Sequence, residues 1–204
     1  LQNVSTHCYL LESAQANEAW GRYTFLGYDP KLEINCIDGH MKLGKLSVET
    51  ENPSEYIRQI LSEYKSPKLD YLPSFTGGLV GYFSYDYLGY KEKSIRGKAR
   101  DTEDFKDVDL MLFDKVIAFD NLCQKIILIA NMSLDAPETG YNKAIVELKQ
   151  LRELVMHGEK KQNMGGKLLG EVTPLFEKEQ YCDMVEKAKH HIKEGAIFQI
   201  VLSN

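Results

Sequence analysis

The feature with the widest reach in this 204-residue sequence is the dipeptide Asp38-Gly39. Leu32-Glu33-Ile34-Asn35-Cys36-Ile37 precedes it and His40-Met41-Lys42-Leu43 follows. A two-residue connection between strands needs positive φ at both positions, which Asp and Gly tolerate, and it joins antiparallel neighbours. The spacing therefore predicts a hairpin over 32–43. Further strand-like runs follow the same logic. Cys8–Leu11 and Tyr23–Leu26 flank a small, polar loop over 12–19. Leu110–Asp120 and Leu122–Asn131 predict a second hairpin. Its Ile126-Ile127-Leu128-Ile129 is apolar at successive positions, which predicts a strand central in a sheet. Gly77–Asp86 reads as a strand with three glycines and three aromatics, and glycine inside a strand marks a bend or the close approach of another backbone.

Helical spacing occurs in three places. Asn52 is placed as an N-cap with Pro53 at the first helical position. Tyr56, Ile57, Ile60, Leu61 and Tyr64 then line one face. Pro137–Met156 predicts a helix with Tyr141, Ile145, Leu148, Leu151 and Val155 inward. Residues 158–173, with Gly165-Gly166 and three lysines, read as a linker. A last helix spans about 176–194, stopped by Gly195, before a strand over 197–203. A final strand without a partner points to a fragment. Strands joined by hairpins, with helices at intervals, predict an antiparallel α+β fold truncated at the C-terminus.

Composition narrows the function classes. Hydrophobic residues at 43% and charged residues at 27% argue for a folded domain rather than a disordered one. No apolar run approaches the ~20 residues that a membrane span requires. The net charge of −5 argues against nucleic acid or an anionic membrane as the main partner. Cys8, Cys36, Cys123 and Cys182 make no metal-ligand spacing and read as reduced thiols of a cytoplasmic protein. No signal peptide opens the sequence.

Catalytic signals are few. His190 and His191 are adjacent on a helix, about 100° apart, and do not share a ligand site. Gly77-Gly78-x-x-Gly81 lacks the spacing of a dinucleotide turn. The basic residues between Lys91 and Arg100 are followed at once by five acidic ones, from Asp101 to Asp109, and read as a solvated loop. One arrangement is more pointed. Glu12-Ser13 ends the first strand and Arg22 begins the second. If the two strands are neighbours, these side chains converge at one end of a sheet. A carboxylate and a hydroxyl take an ammonium, and a guanidinium forks onto a carboxylate, so the trio suits a zwitterion. A strand-end turn with a surface arginine is the alternative.

These segments resemble component I of anthranilate synthase, within the chorismate-utilising enzyme family. The resemblance rests on Leu10–Ser13 (LLES), Trp20–Pro30 (WGRYTFLGYDP), Gly77–Asp86 (GGLVGYFSYD), Leu110–Asn121 (LMLFDKVIAFDN), Leu128–Asn131 (LIAN) and the closing stretch Ala188–Ser203. It implies antiparallel sheets packed together with helices on the outside. It also implies a regulatory domain over 1–157, a linker over 158–173 and, over 174–204, the beginning of the chorismate-binding catalytic domain. The activity implied is conversion of chorismate and ammonia to anthranilate and pyruvate, under feedback inhibition by tryptophan. The ammonia comes from glutamine through an amidotransferase subunit, and Mg²⁺ is the cofactor. The family's metal-binding and catalytic residues correspond to positions after Asn204, so none is assigned here, and these residues alone are expected to be inactive. The tryptophan site carries over to Leu11, Glu12 and Ser13, with Arg22 as the candidate for the ligand carboxylate. The family pattern usually has Asp where Ala196 stands and Gln where Asn204 stands. Aminodeoxychorismate synthase component I and a non-catalytic amino-acid-binding module are the alternatives.

Overall fold

A computed structural model describes residues 1–13, 21–95, 103–160 and 165–203. Two units are distinguished, Leu1–Lys161 and Gln162–Asn204. The predicted loop over 12–19 therefore lies outside the described residues from position 14 onward. Positions 96–102 of the mixed-charge stretch and linker positions 161–164 do so too.

The first unit carries two antiparallel sheets. One has the order β1 (Cys8–Leu11), β2 (Tyr23–Tyr28), β8 (Lys115–Asp120), β9 (Lys125–Ala130). The other has the order β5 (Leu46–Glu49), β4 (His40–Leu43), β3 (Leu32–Ile37), β7 (Val108–Phe113), β6 (Gly78–Phe83). The predicted hairpin forms over β3 and β4, with φ 47° at Asp38 and 84° at Gly39. Strand β5, which the sequence reading did not anticipate, pairs with β4.

The run Leu110–Asp120 is not one strand. It divides at Asp114, with β7 in one sheet and β8 in the other. The partner ribbon divides likewise between β2 and β3, near Asp29, whose φ is 54°. Charged pairs brace this bend crosswise. Lys115 Nζ lies 3.1 Å from Asp29 Oδ2, and Lys31 Nζ 3.7 Å from Asp114 Oδ2. Strand propensity is alike on both sides of Asp114, so periodicity alone does not mark the break. The strand expected to be central, β9, is an edge, and Ile126 is 48% exposed. Central burial falls to β8, where Val116, Ile117 and Ala118 are buried in succession.

Helix α1 (Pro53–Glu63) covers the five-stranded sheet. Ile57 and Ile60 join Ile34, Cys36, Met41, Val108, Leu110 and Leu112 in one core. Leu61 and Tyr64, expected inward, are exposed, because two positions per turn suffice to cover this face. Asn52 occupies the cap position without bonding the helical backbone. Its Oδ1 instead accepts from Ser54 Oγ at 2.7 Å and Lys91 Nζ at 3.1 Å. Behind the Asp38-Gly39 turn, the Tyr90 hydroxyl accepts from Gly39 N at 2.7 Å and donates to Asp107 Oδ2 at 2.7 Å. Tyr90 ends the 3₁₀ turn Tyr85–Tyr90, so the expected strand through Asp86 stops at Phe83.

Helix α2 (Pro137–His157) packs on β9 through a face that includes buried Ala144 and Leu151. Tyr141, expected inward, is 59% exposed. Gly140 makes the close approach in its place: a β-carbon there would stand 2.9 Å from the Ser133 carbonyl oxygen.

In the second unit, α3 (Lys178–Lys193) opens with a capping box between Glu177 and Gln180. It closes on Gly195 at φ 75°. The strand expected over 197–203 does not form. A strand exists by its ladder, and these residues pair with no strand among the described residues.

Candidate functional site

The site is built by strand register. Leu11 stands opposite Phe25 in the β1–β2 pair, and Tyr23 stands opposite Asp120 in the β2–β8 pair. The chain leaving β1 at Glu12-Ser13 and the chain entering β2 at Arg22 therefore meet at one end of the four-stranded sheet. A cavity of about 590 Å³ opens there. Leu11, Glu12 and Ser13 form one side of it, Gly21, Arg22, Tyr23 and Phe25 another, and Ser74 reaches it from the segment before β6. All four residues singled out from the sequence line this one cavity.

Apolar lining comes from an aromatic row. Phe25 meets Tyr23 at 5.9 Å and Phe75 edge-on at 5.5 Å between ring centroids. Phe75 continues to Tyr9 at 6.3 Å, and Tyr9 to Phe113 at 4.7 Å. The rings therefore run from the cavity wall to the end of β7. Edge-to-face pairs hold such rings in fixed orientations. The Tyr9 hydroxyl is buried with no partner among the described residues, and burial pushes its ionisation well up.

Arg22 is already engaged. Its Nε donates to Asp120 Oδ1 at 3.1 Å and its Nη2 to Oδ2 at 2.6 Å, a two-point fork across 98 positions of sequence. The guanidinium also lies 4.9 Å from the centre of the Tyr23 ring. Asp120 is 4% exposed and accepts in addition from the backbone N–H groups of Leu122 and Cys123 at 3.2 and 3.0 Å. The Arg22 hydrogen bond holds the Asp120 carboxyl well below the usual carboxylate range, and the same bond pushes the guanidinium up. No side chain among the described residues forms an ion pair with Glu12.

Asp120, Tyr23, Phe25 and Ser74 were not anticipated as lining or supporting residues. Tyr23 and Phe25 carried a signal, since they alternate along β2 next to Arg22. Asp120 and Ser74 carried none, because their proximity is set only by long-range pairing.

Among the described residues, no three of the His, Cys, Asp and Glu side chains stand together to hold a metal ion. The Mg²⁺ implied by the resemblance finds no donor set among them. No helix among the described residues is long and apolar enough to cross a membrane.

The family model of chorismate binding enzymes matches residues 6–204. The chain belongs to that family. Among its relatives, anthranilate synthase component 1 of Acetivibrio thermocellus is 31% identical over 217 residues, covering 98% of this chain and 42% of the relative. The protein of the same name from Acinetobacter calcoaceticus is 32% identical over 209 residues, covering 96% and 41%. The crystal structure of anthranilate synthase component I from Streptococcus pneumoniae superposes with a TM-score of 0.60 at 22% identity, covering 90% of this chain and 41% of that one. It shares the fold. The chain thus spans about two fifths of the length of the relatives it matches.

Proposed function

We propose that this chain is the N-terminal, effector-binding portion of an anthranilate synthase component I. The whole protein would convert chorismate and ammonia to anthranilate and pyruvate on the way to tryptophan, as a cytoplasmic enzyme. A glutamine amidotransferase subunit would supply the ammonia. Mg²⁺ belongs to the same reading, held by residues of the whole protein other than those described. The observation that carries the proposal is the meeting of Leu11, Glu12, Ser13 and Arg22 around one aromatic-walled cavity in a chain whose relatives bear that name.

The cavity is assigned to tryptophan as a feedback ligand. Glu12, without an ion-pair partner among the described residues, takes the ammonium with Ser13 beside it. The indole lies against Phe25 and Tyr23, and burying it contributes a few kcal/mol. Arg22 and Ser74 stand where the carboxylate comes to rest.

The test uses the full-length gene product with chorismate, Mg²⁺ and ammonium ion, followed by anthranilate fluorescence. Fluorescent product that tryptophan suppresses is the expected result. Ser13→Ala and Glu12→Gln should each raise the tryptophan concentration for half-inhibition at least tenfold. Chorismate consumed without anthranilate would instead identify the aminodeoxychorismate reaction.

A further inference from the structure

We infer that Asp120 is a positioning residue that neutralises Arg22, so that the cavity chooses its ligand by the ammonium and the aromatic body and reads the carboxylate only weakly. The inference rests on the tryptophan reading of the cavity and deepens it.

Three observations carry it. The Nε and Nη2 donors of Arg22 are both spent on Asp120, at 3.1 and 2.6 Å. Asp120 cannot readily turn away, because it is buried and its Oδ1 also holds the backbone N–H groups of Leu122 and Cys123. Arg22 is confined on its face by the Tyr23 ring at 4.9 Å. A guanidinium held in this way is one half of a neutral pair. A second carboxylate approaching it meets the Asp120 charge a few ångströms behind the Arg22 charge, and the two fields largely cancel.

Glu12 stands in the opposite condition. It is exposed, lines the same cavity and has no ion-pair partner among the described residues. Among the described residues, the charged side chains at the cavity, Glu12, Arg22 and Asp120, therefore sum to one negative charge, which favours a cationic ligand. Beside the neutralised Arg22, the Ser74 hydroxyl is what the described lining offers a ligand carboxylate. Neutral donors make weaker bonds to an anion than a free guanidinium does. An arylalkylammonium without a carboxylate should consequently serve the site nearly as well as an amino acid.

The experiment is titration calorimetry on the full-length protein with tryptophan, tryptamine and indole-3-propionate. Tryptamine is expected to bind within about threefold of tryptophan, and indole-3-propionate at least thirtyfold more weakly. In Asp120→Asn the Arg22 charge is left uncompensated, so the ratio of tryptophan to tryptamine affinity should rise at least fivefold. A residue with a merely structural role would weaken both ligands together and leave that ratio alone. Should Asp120→Asn fail to fold, the double variant Asp120→Asn/Arg22→Gln serves instead; it removes both charges of the pair, and there the ratio should stay within twofold of wild type. Tryptophan binding tenfold or more tighter than tryptamine in the wild type overturns the inference while leaving the tryptophan site standing. So does a ratio that falls in Asp120→Asn. Absence of binding by both indole amines refutes the tryptophan site itself, and the inference with it.

Discussion

Replacing Gly81 by alanine tests the sheet architecture at its narrowest point. Gly81 lies mid-strand in β6, opposite Leu110 of β7, with φ at 152°. A β-carbon built there would fall 2.0 Å from the Asp109 carbonyl oxygen and 2.9 Å from the Leu110 α-carbon. Neither atom belongs to a side chain that can swing aside. A non-glycine residue in this region of φ is strained by about 1–3 kcal/mol. Relieving the contact requires β6 to move away from β7 by roughly 1 Å, given that non-bonded carbon and oxygen prefer to stand more than about 3 Å apart. Such a shift weakens the neighbouring ladder bonds, each worth about 1 kcal/mol net.

The sum is a loss of about 3–5 kcal/mol, a large share of a typical domain stability of about 5–15 kcal/mol. For a unit of this size that corresponds to a fall in Tm of about 10 °C, at roughly 2–4 °C per kcal/mol. Thermal unfolding followed by circular dichroism measures the shift. Hydrogen exchange localises it, because β7 lies between β3 and β6. Amides of β7 bonded toward β6 should lose protection, while those bonded toward β3 keep it. Gly166→Ala, where a β-carbon would meet nothing within 4 Å, is the matched control and should leave Tm unchanged. A Tm for Gly81→Ala within 2 °C of wild type would refute the close approach as a determinant of this sheet.

Leu151→Ala should destabilise by about 2–5 kcal/mol, because Leu151 is buried in the face of α2. The midpoint of urea unfolding measures it, and a loss below about 1 kcal/mol would mean that the helix is held elsewhere. Asp120 should leave a signature in the acid limb of stability. Its carboxyl ionises below the usual range in the folded protein, so its contribution is fully present above the ordinary carboxylate value of about 3.9 and is lost as pH falls through the lower folded value. The Tm difference between wild type and Asp120→Asn should be constant above about pH 5 and shrink toward pH 2. A difference that does not change with pH would show that the charge of Asp120 does not stabilise the fold.

The parts of the fold that were legible in the sequence are those with a local cause. Asp38-Gly39 demanded a tight turn, and the flanking strands formed at the expected bounds. The apolar spacing from Ile57 to Ile60 put both in the core. What failed to show was whatever depends on a distant partner. The bend at Asp114 looks, residue by residue, like one long strand. Ile126–Ile129 was apolar enough for the middle of a sheet, yet edge or centre is decided by neighbours from elsewhere in the chain. Residues 197–203 have strand character but no ladder among the described residues. The candidate site divides along the same line. Glu12, Ser13 and Arg22 were legible because two neighbouring strand ends bring them together. Asp120 was not, since it joins Arg22 from 98 positions away.

That long-range contact depends on the bend. Strands β2 and β8 form one ribbon, with Asp29 and Lys115 at one end and Arg22 and Asp120 at the other. The crossed pairs Lys115–Asp29 and Lys31–Asp114 pin the two strands against sliding where the ribbon leaves one sheet for the other. Side chains alternate between the faces of a strand, so a slip of one residue would carry Asp120 to the face opposite Arg22. It would also exchange Asp120 for Phe119 as the residue opposite Tyr23, or carry it past the end of β2. Charges braced at the bend therefore secure the register that closes the Arg22 fork and sets the charge of the cavity. The bracing pairs are partly exposed, and individually such pairs stabilise by no more than about 1 kcal/mol. Each is satisfied in one alignment of the ribbon and broken in the next, so that modest energy falls wholly on the choice of register.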